Sequence, residues 1–152
     1  MKGRNVIAEG NNQDFHHIVV TAASVQAIWH LWTDVAGWSR WDGGLKSAAL
    51  NGAFAAGSIG TIVPLSGPKA RFTITTVEPN RAYSFVTNLP LGKLTVTRRF
   101  LEPATSGATR FEHHITFSGL LSRLWAAQFG PGFRKELPAT MERLAQLAET
   151  SP

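Results

Sequence analysis

The sequence predicts an α+β fold: a curved, seven-stranded antiparallel sheet wrapped around one long C-terminal helix, with two short helices between the first two strands. Three observations carry this reading. Apolar residues recur at helical spacing early in the chain and again at its end. Between these stretches lie six β-like runs separated by Gly, Pro, Asn and Ser turn residues, at the spacing of an antiparallel meander. Such a sheet needs cover for its apolar face, and the C-terminal helix is the only long element left to supply it.

Taken in order, Phe15–Ala22 (FHHIVVTA) is β-branched and reads as the first strand. Ser24 then stands before Val25, Ile28, Trp29, Trp32 and Val35, a 3–4 spacing that marks one face of a helix with Ser24 as its N-cap. Gly37 ends it, and a turn or second short helix carries Trp38 and Trp41 up to Gly43–Gly44. The six further strands are Leu45–Leu50, Gly60–Leu65, Ala70–Glu78, Ala82–Asn88, Lys93–Glu102 and Thr109–Phe117. In the tail, Leu120, Leu121, Leu124, Trp125 and Phe129 form one helical segment, and Gly130-Pro131-Gly132 is expected to break or kink it. Phe133, Leu137, Met141, Leu144 and Ala148 then form one stripe, with Pro138 expected to bend the helix.

Composition bounds the function. The 152 residues suit one domain, 15–150, preceded by a polar, flexible segment 1–14. The absence of cysteine excludes disulfides, a thiolate nucleophile and Cys-ligated metal sites. No apolar run is long enough to span a bilayer and no signal-peptide core is evident, so a cytoplasmic protein is expected. The net charge of +5 is scattered, with no basic stripe interleaved with aromatics, which argues against nucleic acid as a partner. His16 and His17 are adjacent on a strand, face opposite sides and cannot chelate together, so no metal is expected. No phosphate-binding loop, dinucleotide fingerprint or nucleophile elbow occurs, and no cofactor is expected. With 5 Trp and 9 Phe, the chain has either a dense aromatic core or an apolar cavity to line.

Strand parity selects the candidate polar residues. In Thr109–Phe117, His113 shares the face of Phe111, Ile115 and Phe117; in Lys93–Glu102, Arg98 shares the face of Leu94, Val96 and Phe100. These strands are hairpin neighbours, so an inward Arg98 and His113 would form a polar centre able to orient a carboxylate, phenolate or carbonyl, with His113 available for acid–base work. Arg98 can also be read as a sheet-edge residue reaching solvent along its stem, a slip of one residue or a bulge would place Arg99 inside instead, and a lone inward His is more often a hydrogen-bonded core residue than a catalyst. Tyr83 shares the face of Phe85 and completes the catalytic candidates. Trp32, Trp41, Phe54, Phe72, Phe85, Phe111, Phe133, Leu137 and Met141 are the candidate ligand-binding residues, as cavity wall or as core. Phe54, in the loop Gly52–Gly57, is a candidate lid.

The stretch from Ala23 to Trp41 resembles the entry of SRPBCC (START-like, polyketide cyclase/dehydrase) domains: Ile28-Trp29, Asp34, Trp38 and Trp41 match, with Ser24 in place of the usual Pro. The turn before Ala-Thr-Arg-Phe near the last strand and the Leu-Ala-Glu end of the final helix are also similar. The resemblance covers about residues 15–149 and implies a helix-grip fold with a hydrophobic tunnel, in a family that includes lipid-transfer domains, hormone receptors and aromatase/cyclases. It supplies no catalytic motif to carry over.

The function expected is binding of a small, largely hydrophobic or aromatic molecule between the sheet and the C-terminal helix. The alternative is a polyketide cyclase/dehydrase-type enzyme using Arg98, His113 and Tyr83 in the same place. Converging, mutually hydrogen-bonded ionisable groups favour the enzyme, and an aliphatic and aromatic lining favours a carrier. An interior filled by side chains favours an accessory protein.

Overall fold

The computed structural model describes residues 13–102 and 107–150; the expected flexible segment 1–14 lies outside them except for Gln13 and Asp14. Asp14 begins strand β1 (Asp14–Thr21). Ser24 caps helix α1 (Val25–Thr33), its hydroxyl accepting from the Ala27 N–H at 3.0 Å, and a 3-10 helix (Val35–Arg40) follows. Then come β2 (Leu45–Asn51), β3 (Ile59–Pro64), β4 (Ala70–Glu78), β5 (Ala82–Leu89), β6 (Gly92–Leu101), β7 (Thr109–Ser118) and helix α2 (Ser122–Glu149).

All neighbouring strands pair antiparallel in the order β1-β7-β6-β5-β4-β3-β2, so the first strand closes the sheet beside the last. Register shifts at Leu45/Ser47 and Ile74/Thr76 add the extra residues that let a sheet bend. On the inner face, Phe15, Val19, Phe72, Ile74, Tyr83, Phe85, Val96, Phe111, Ile115 and Phe117 are buried with α1, the 3-10 helix and α2 in one core.

The expected break at Gly130-Pro131-Gly132 does not occur: α2 runs as one helix of 28 residues through Pro131 and Pro138. Each interior proline removes a backbone bond and crowds the preceding turn, at about 3 kcal/mol. The helix persists because it is anchored on both sides of them, by Ser122, Ala126 and Gly130 before and by Met141, Leu144, Ala145 and Ala148 after, all buried. Gly130 has its own reason to lack a side chain, since an added Cβ would overlap the ring of Phe15 on β1.

Gly60 on β3 is the tightest such contact on the sheet. A Cβ there would overlap the Phe72 ring and lie 2.7 Å from the Ala49 carbonyl, which is backbone and cannot yield. Gly60→Ala is therefore expected to cost about 1–3 kcal/mol in chemical denaturation, the range for overpacking. A neutral result would mean that this corner of the sheet is not tightly packed.

Candidate functional site

The antiparallel register brings four inward-facing residues into one row across four strands. Tyr83 on β5 lies opposite Arg98 on β6, Arg98 opposite His113 on β7, and His113 opposite His17 on β1. Arg98 is inside, 6% exposed, and its neighbour Arg99 points outward to Glu112, with Nε donating to Oε1 at 2.7 Å. The one-residue slip that would exchange them is excluded. His16 likewise faces out, 3.1 Å from Glu112, while His17 faces in toward His113.

Helix α1 and the 3-10 helix cover this row with tryptophans. The Trp32 indole N–H donates to His113 Nε2 at 3.0 Å, and the Trp32 carbonyl accepts from Trp38 Nε1 at 2.9 Å and from the Tyr83 hydroxyl at 3.4 Å. An indole N–H only donates, so His113 Nε2 is the acceptor and the ring proton lies on Nδ1. Arg98 Nη1 donates to the Tyr83 hydroxyl at 2.5 Å. The guanidinium carbon also lies 4.8 Å from the Trp38 ring, 5.0 Å from Trp41, 5.2 Å from Phe85 and 5.7 Å from Tyr83. A guanidinium over aromatic faces is attracted by their quadrupoles, more strongly where water is absent.

Two donors in this centre have no partner. Arg98 Nε and Trp41 Nε1 are both buried and unbonded. Among the described residues, no carboxylate forms an ion pair with Arg98. The acid that feels its charge is Asp42, next to Trp41. Burial pushes the Asp42 carboxyl above its usual range, against the pull of the Gly44 N–H, Arg98 and Arg143. A buried charge left without a counterion and a buried N–H left unbonded are both costly, so the arrangement is short of an acceptor.

Burial chiefly, then the Arg98 cation and His17, hold His113 well below the usual imidazole range, so it is neutral. Burial pushes the Tyr83 phenol up, against the opposing effect of Arg98, so it keeps its proton. Neither group is poised as a base: the His113 Nε2 lone pair is engaged by Trp32, and Tyr83 is a protonated phenol.

Of the sequence-predicted residues, Trp32, Trp41, Phe72, Phe85 and Phe111 are buried around this centre, with Phe72 and Phe85 against Trp38 at 5.4 and 5.3 Å and Phe111 against Trp32 at 6.0 Å. Aromatic rings thus occupy the ground around Arg98. Phe54 is half-buried and lies edge-on to Tyr83 at 4.9 Å, with Trp29 at 6.4 Å. Leu137 and Met141 join the same core from α2. Phe133 stands apart, half-buried against Phe117 at 6.2 Å. Sequence reasoning did not single out Trp29 or Asp42. Trp29 was legible as part of the α1 apolar face, whereas nothing in the sequence marks Asp42 beyond its place beside Trp41. A separate concavity of about 480 Å³ opens on β2–β4, lined by Ala49, Ile59, Thr61 and Arg71 among others, and none of the row lines it.

The sequence pattern of the family described as "Polyketide cyclase / dehydrase and lipid transport" matches residues 13–149. No curated protein matches. Solved structures do. Norcoclaurine synthase from Thalictrum flavum, in complex with dopamine and hydroxybenzaldehyde, is 14% identical with a TM-score of 0.68, covering 100% of this chain and 96% of that one. The Zhui aromatase/cyclase from Streptomyces sp. R1128 is 15% identical with a TM-score of 0.69, covering 90% and 93%. A protein from Nitrosomonas europaea is 14% identical with a TM-score of 0.70, covering 91% and 95%. At these identities the likeness is one of fold.

The His113 environment has a pH signature. An unfolded histidine takes up a proton near pH 6.5, which the folded one refuses until well below that value. Folding stability is therefore expected to fall as pH drops below about 6.5. His113→Gln keeps an acceptor for Trp32 and removes the titration, so its stability should decline less over the same window in denaturation curves. Equal slopes for the two proteins would refute the burial of a neutral imidazole.

Proposed function

Because the chain belongs to the polyketide cyclase/dehydrase and lipid transport family of SRPBCC/START-like helix-grip proteins, we propose that it binds a small, largely aromatic or apolar molecule between the sheet and α2. The ligand's oxygen acceptor is held at Arg98. The observation that carries this reading is the pair of buried, unbonded donors, Arg98 Nε and Trp41 Nε1, beside an uncompensated guanidinium. A carboxylate, phenolate or polarised carbonyl against the guanidinium would give Arg98 Nε its acceptor and neutralise or share the charge, and one that also reached Trp41 Nε1 would satisfy both donors. The aromatic rings around them suit an aromatic body, and the similar structures include a synthase in complex with dopamine and hydroxybenzaldehyde and an aromatase/cyclase.

Entry requires aromatic side chains to move, and Phe54 is the side chain best placed to do so. It caps Tyr83 from the segment between β2 and β3, bounded by Gly52 at φ 96° and Gly57 at φ 95°. The far end of the segment is fixed, since the Gly57 N–H and the Ser58 carbonyl pair with Ile74 on β4 and Ser58 Oγ donates to the Ala53 carbonyl at 2.6 Å, so the motion required is that of the Phe54 side chain.

The cyclase/dehydrase reading has one observation in its favour, the Arg98–Tyr83 hydrogen bond. Such a pair can stabilise an enolate oxygen and supply a proton. It lacks a base to take the substrate's α proton, since the His113 lone pair is already used by Trp32. For this reason binding is preferred to catalysis; the rings packed around Arg98 are what an accessory protein would show, and the two unbonded donors favour a ligand over that reading.

The test compares an aromatic carboxylic acid with its neutral methyl ester by calorimetry. Arg98→Ala should weaken the acid more than the ester, by about 1.5–3 kcal/mol, the range for a hydrogen bond to a charged group. Trp41→Phe, which removes the N–H together with part of the indole ring, should also weaken the acid more than the ester, by a smaller amount. Equal losses for both ligands, or none, would leave an apolar interior without a polar selector. Turnover of a polyketide-like substrate that depends on Tyr83 would move the assignment to the enzyme.

A further inference from the structure

The β5–β6 hairpin and the start of α2 form one surface. Its loop is Pro90-Leu91, between the paired Leu89 and Gly92. The Leu121 N–H donates to the Leu91 carbonyl at 2.9 Å, and Trp125 Nε1 donates to the Pro90 carbonyl at 2.9 Å. Gly119 permits this closeness, since a Cβ there would come within 2.7 Å of the Gly92 Cα. The surface is apolar where it meets water: Leu120 is 82% exposed, Leu91 64%, Leu124 55% and Phe129 41%. Hydrophobic side chains clustered at such exposure mark an interaction site.

Leu91 adds a second, independent observation. Its φ is 52°, in the left-handed region where a two-residue loop calls for Gly or Asn. A large apolar side chain is thus held in a strained conformation and displayed to solvent, which local folding gives no reason to retain.

The charged side chains carried by the two stretches that build the surface are basic, and the acid Asp14 of β1 lies alongside at Thr116 and His114. Lys93 and Arg123 are exposed beside it. No Asp or Glu occurs between Glu78 and Glu102, or between Glu112 and Glu136, the two stretches that build it. We infer that this surface docks on an anionic lipid membrane, with Leu91, Leu120 and Leu124 entering the interface and Lys93 and Arg123 meeting the headgroups. Apolar insertion combined with basic flanks is the pattern of peripheral membrane attachment. A second copy of the chain fits less well. A two-fold dimer through this patch would set it against itself, bringing the basic residues of one copy, Lys93 and Arg123, against those of the other. The surface is distinct from the Arg98 centre and does not depend on what binds there. Attachment is peripheral: among the described residues, no helix is long and apolar enough to cross a membrane.

Vesicle co-sedimentation of the full chain tests this. The protein should pellet with phosphatidylcholine vesicles carrying about 30 mol% phosphatidylserine, far less with phosphatidylcholine alone, and less as salt is raised. Lys93→Gln with Arg123→Gln should erase the preference for the anionic vesicles. Leu91→Gly suits the positive φ, so it should leave thermal stability unchanged or higher while weakening vesicle binding by roughly tenfold. Leu124→Gln provides a second variant on an exposed helix position. Failure to pellet, equal pelleting with neutral vesicles, or unchanged binding by both leucine variants would overturn the inference. So would a concentration-dependent dimer in sedimentation velocity that Leu124→Gln abolishes, since it would give the patch to a second copy.

Discussion

A guanidinium buried among aromatic rings without a carboxylate partner is the constraint around which the rest of this structure is arranged. Arg98 lies on the inner face of β6, between β7 and β5, with Trp38, Trp41, Phe85 and Tyr83 around it. Removing such a charge from water costs several kcal/mol after relaxation, and cation–π contacts of about 0.5–2 kcal/mol each offset part of this. One hydrogen bond to Tyr83 offsets more, and the partly buried Asp42 lends distant charge. What is left over appears as two unbonded donors, Arg98 Nε and Trp41 Nε1. These two donors are what the proposed ligand oxygen would satisfy.

The surroundings follow from holding that charge in place. Trp32 is tied to the sheet by its bond to His113, and its carbonyl gathers Trp38 and Tyr83, so α1 and the 3-10 helix are locked over the row by polar contacts as well as by packing. This makes His113 an orienting residue for Trp32, with its low proton affinity a consequence of burial beside Arg98. The row itself exists because the pleat alternates faces and because β5, β6 and β7 are joined in a register without shifts.

Much of this was legible in the sequence. Turn residues delimited the strands, helical spacing located α1, and alternation placed Arg98, His113 and Tyr83 on one face. Arg98 and His113 could also be read as hairpin neighbours, because only a short loop joins their strands. The limits have physical causes. Pro131 and Pro138 signal interruption locally, but burial on both sides of them holds α2 together, and such tertiary anchoring has no local signature. The engagement of the His113 lone pair by Trp32 joins residues 81 positions apart, which parity cannot foresee. Nor can it foresee whether aromatics line a space or fill it. Phe72, Phe85 and Phe111 fit either role by sequence, and the structure packs them around the tryptophans.

The central claim is that Arg98 is kept for a ligand, at a cost to the free protein. Arg98→Met replaces the guanidinium by an apolar side chain that the surrounding rings can accept, leaving Tyr83 its contact with the Trp32 carbonyl. Urea denaturation of the ligand-free proteins at neutral pH is the direct measurement. The account predicts that the variant is as stable as the parent or more so, by about 1–4 kcal/mol, as when buried charges give way to well-packed apolar groups. A loss of about 3–5 kcal/mol would contradict it, because Arg98 would then be a structural pin for the tryptophans rather than a binding group awaiting its partner.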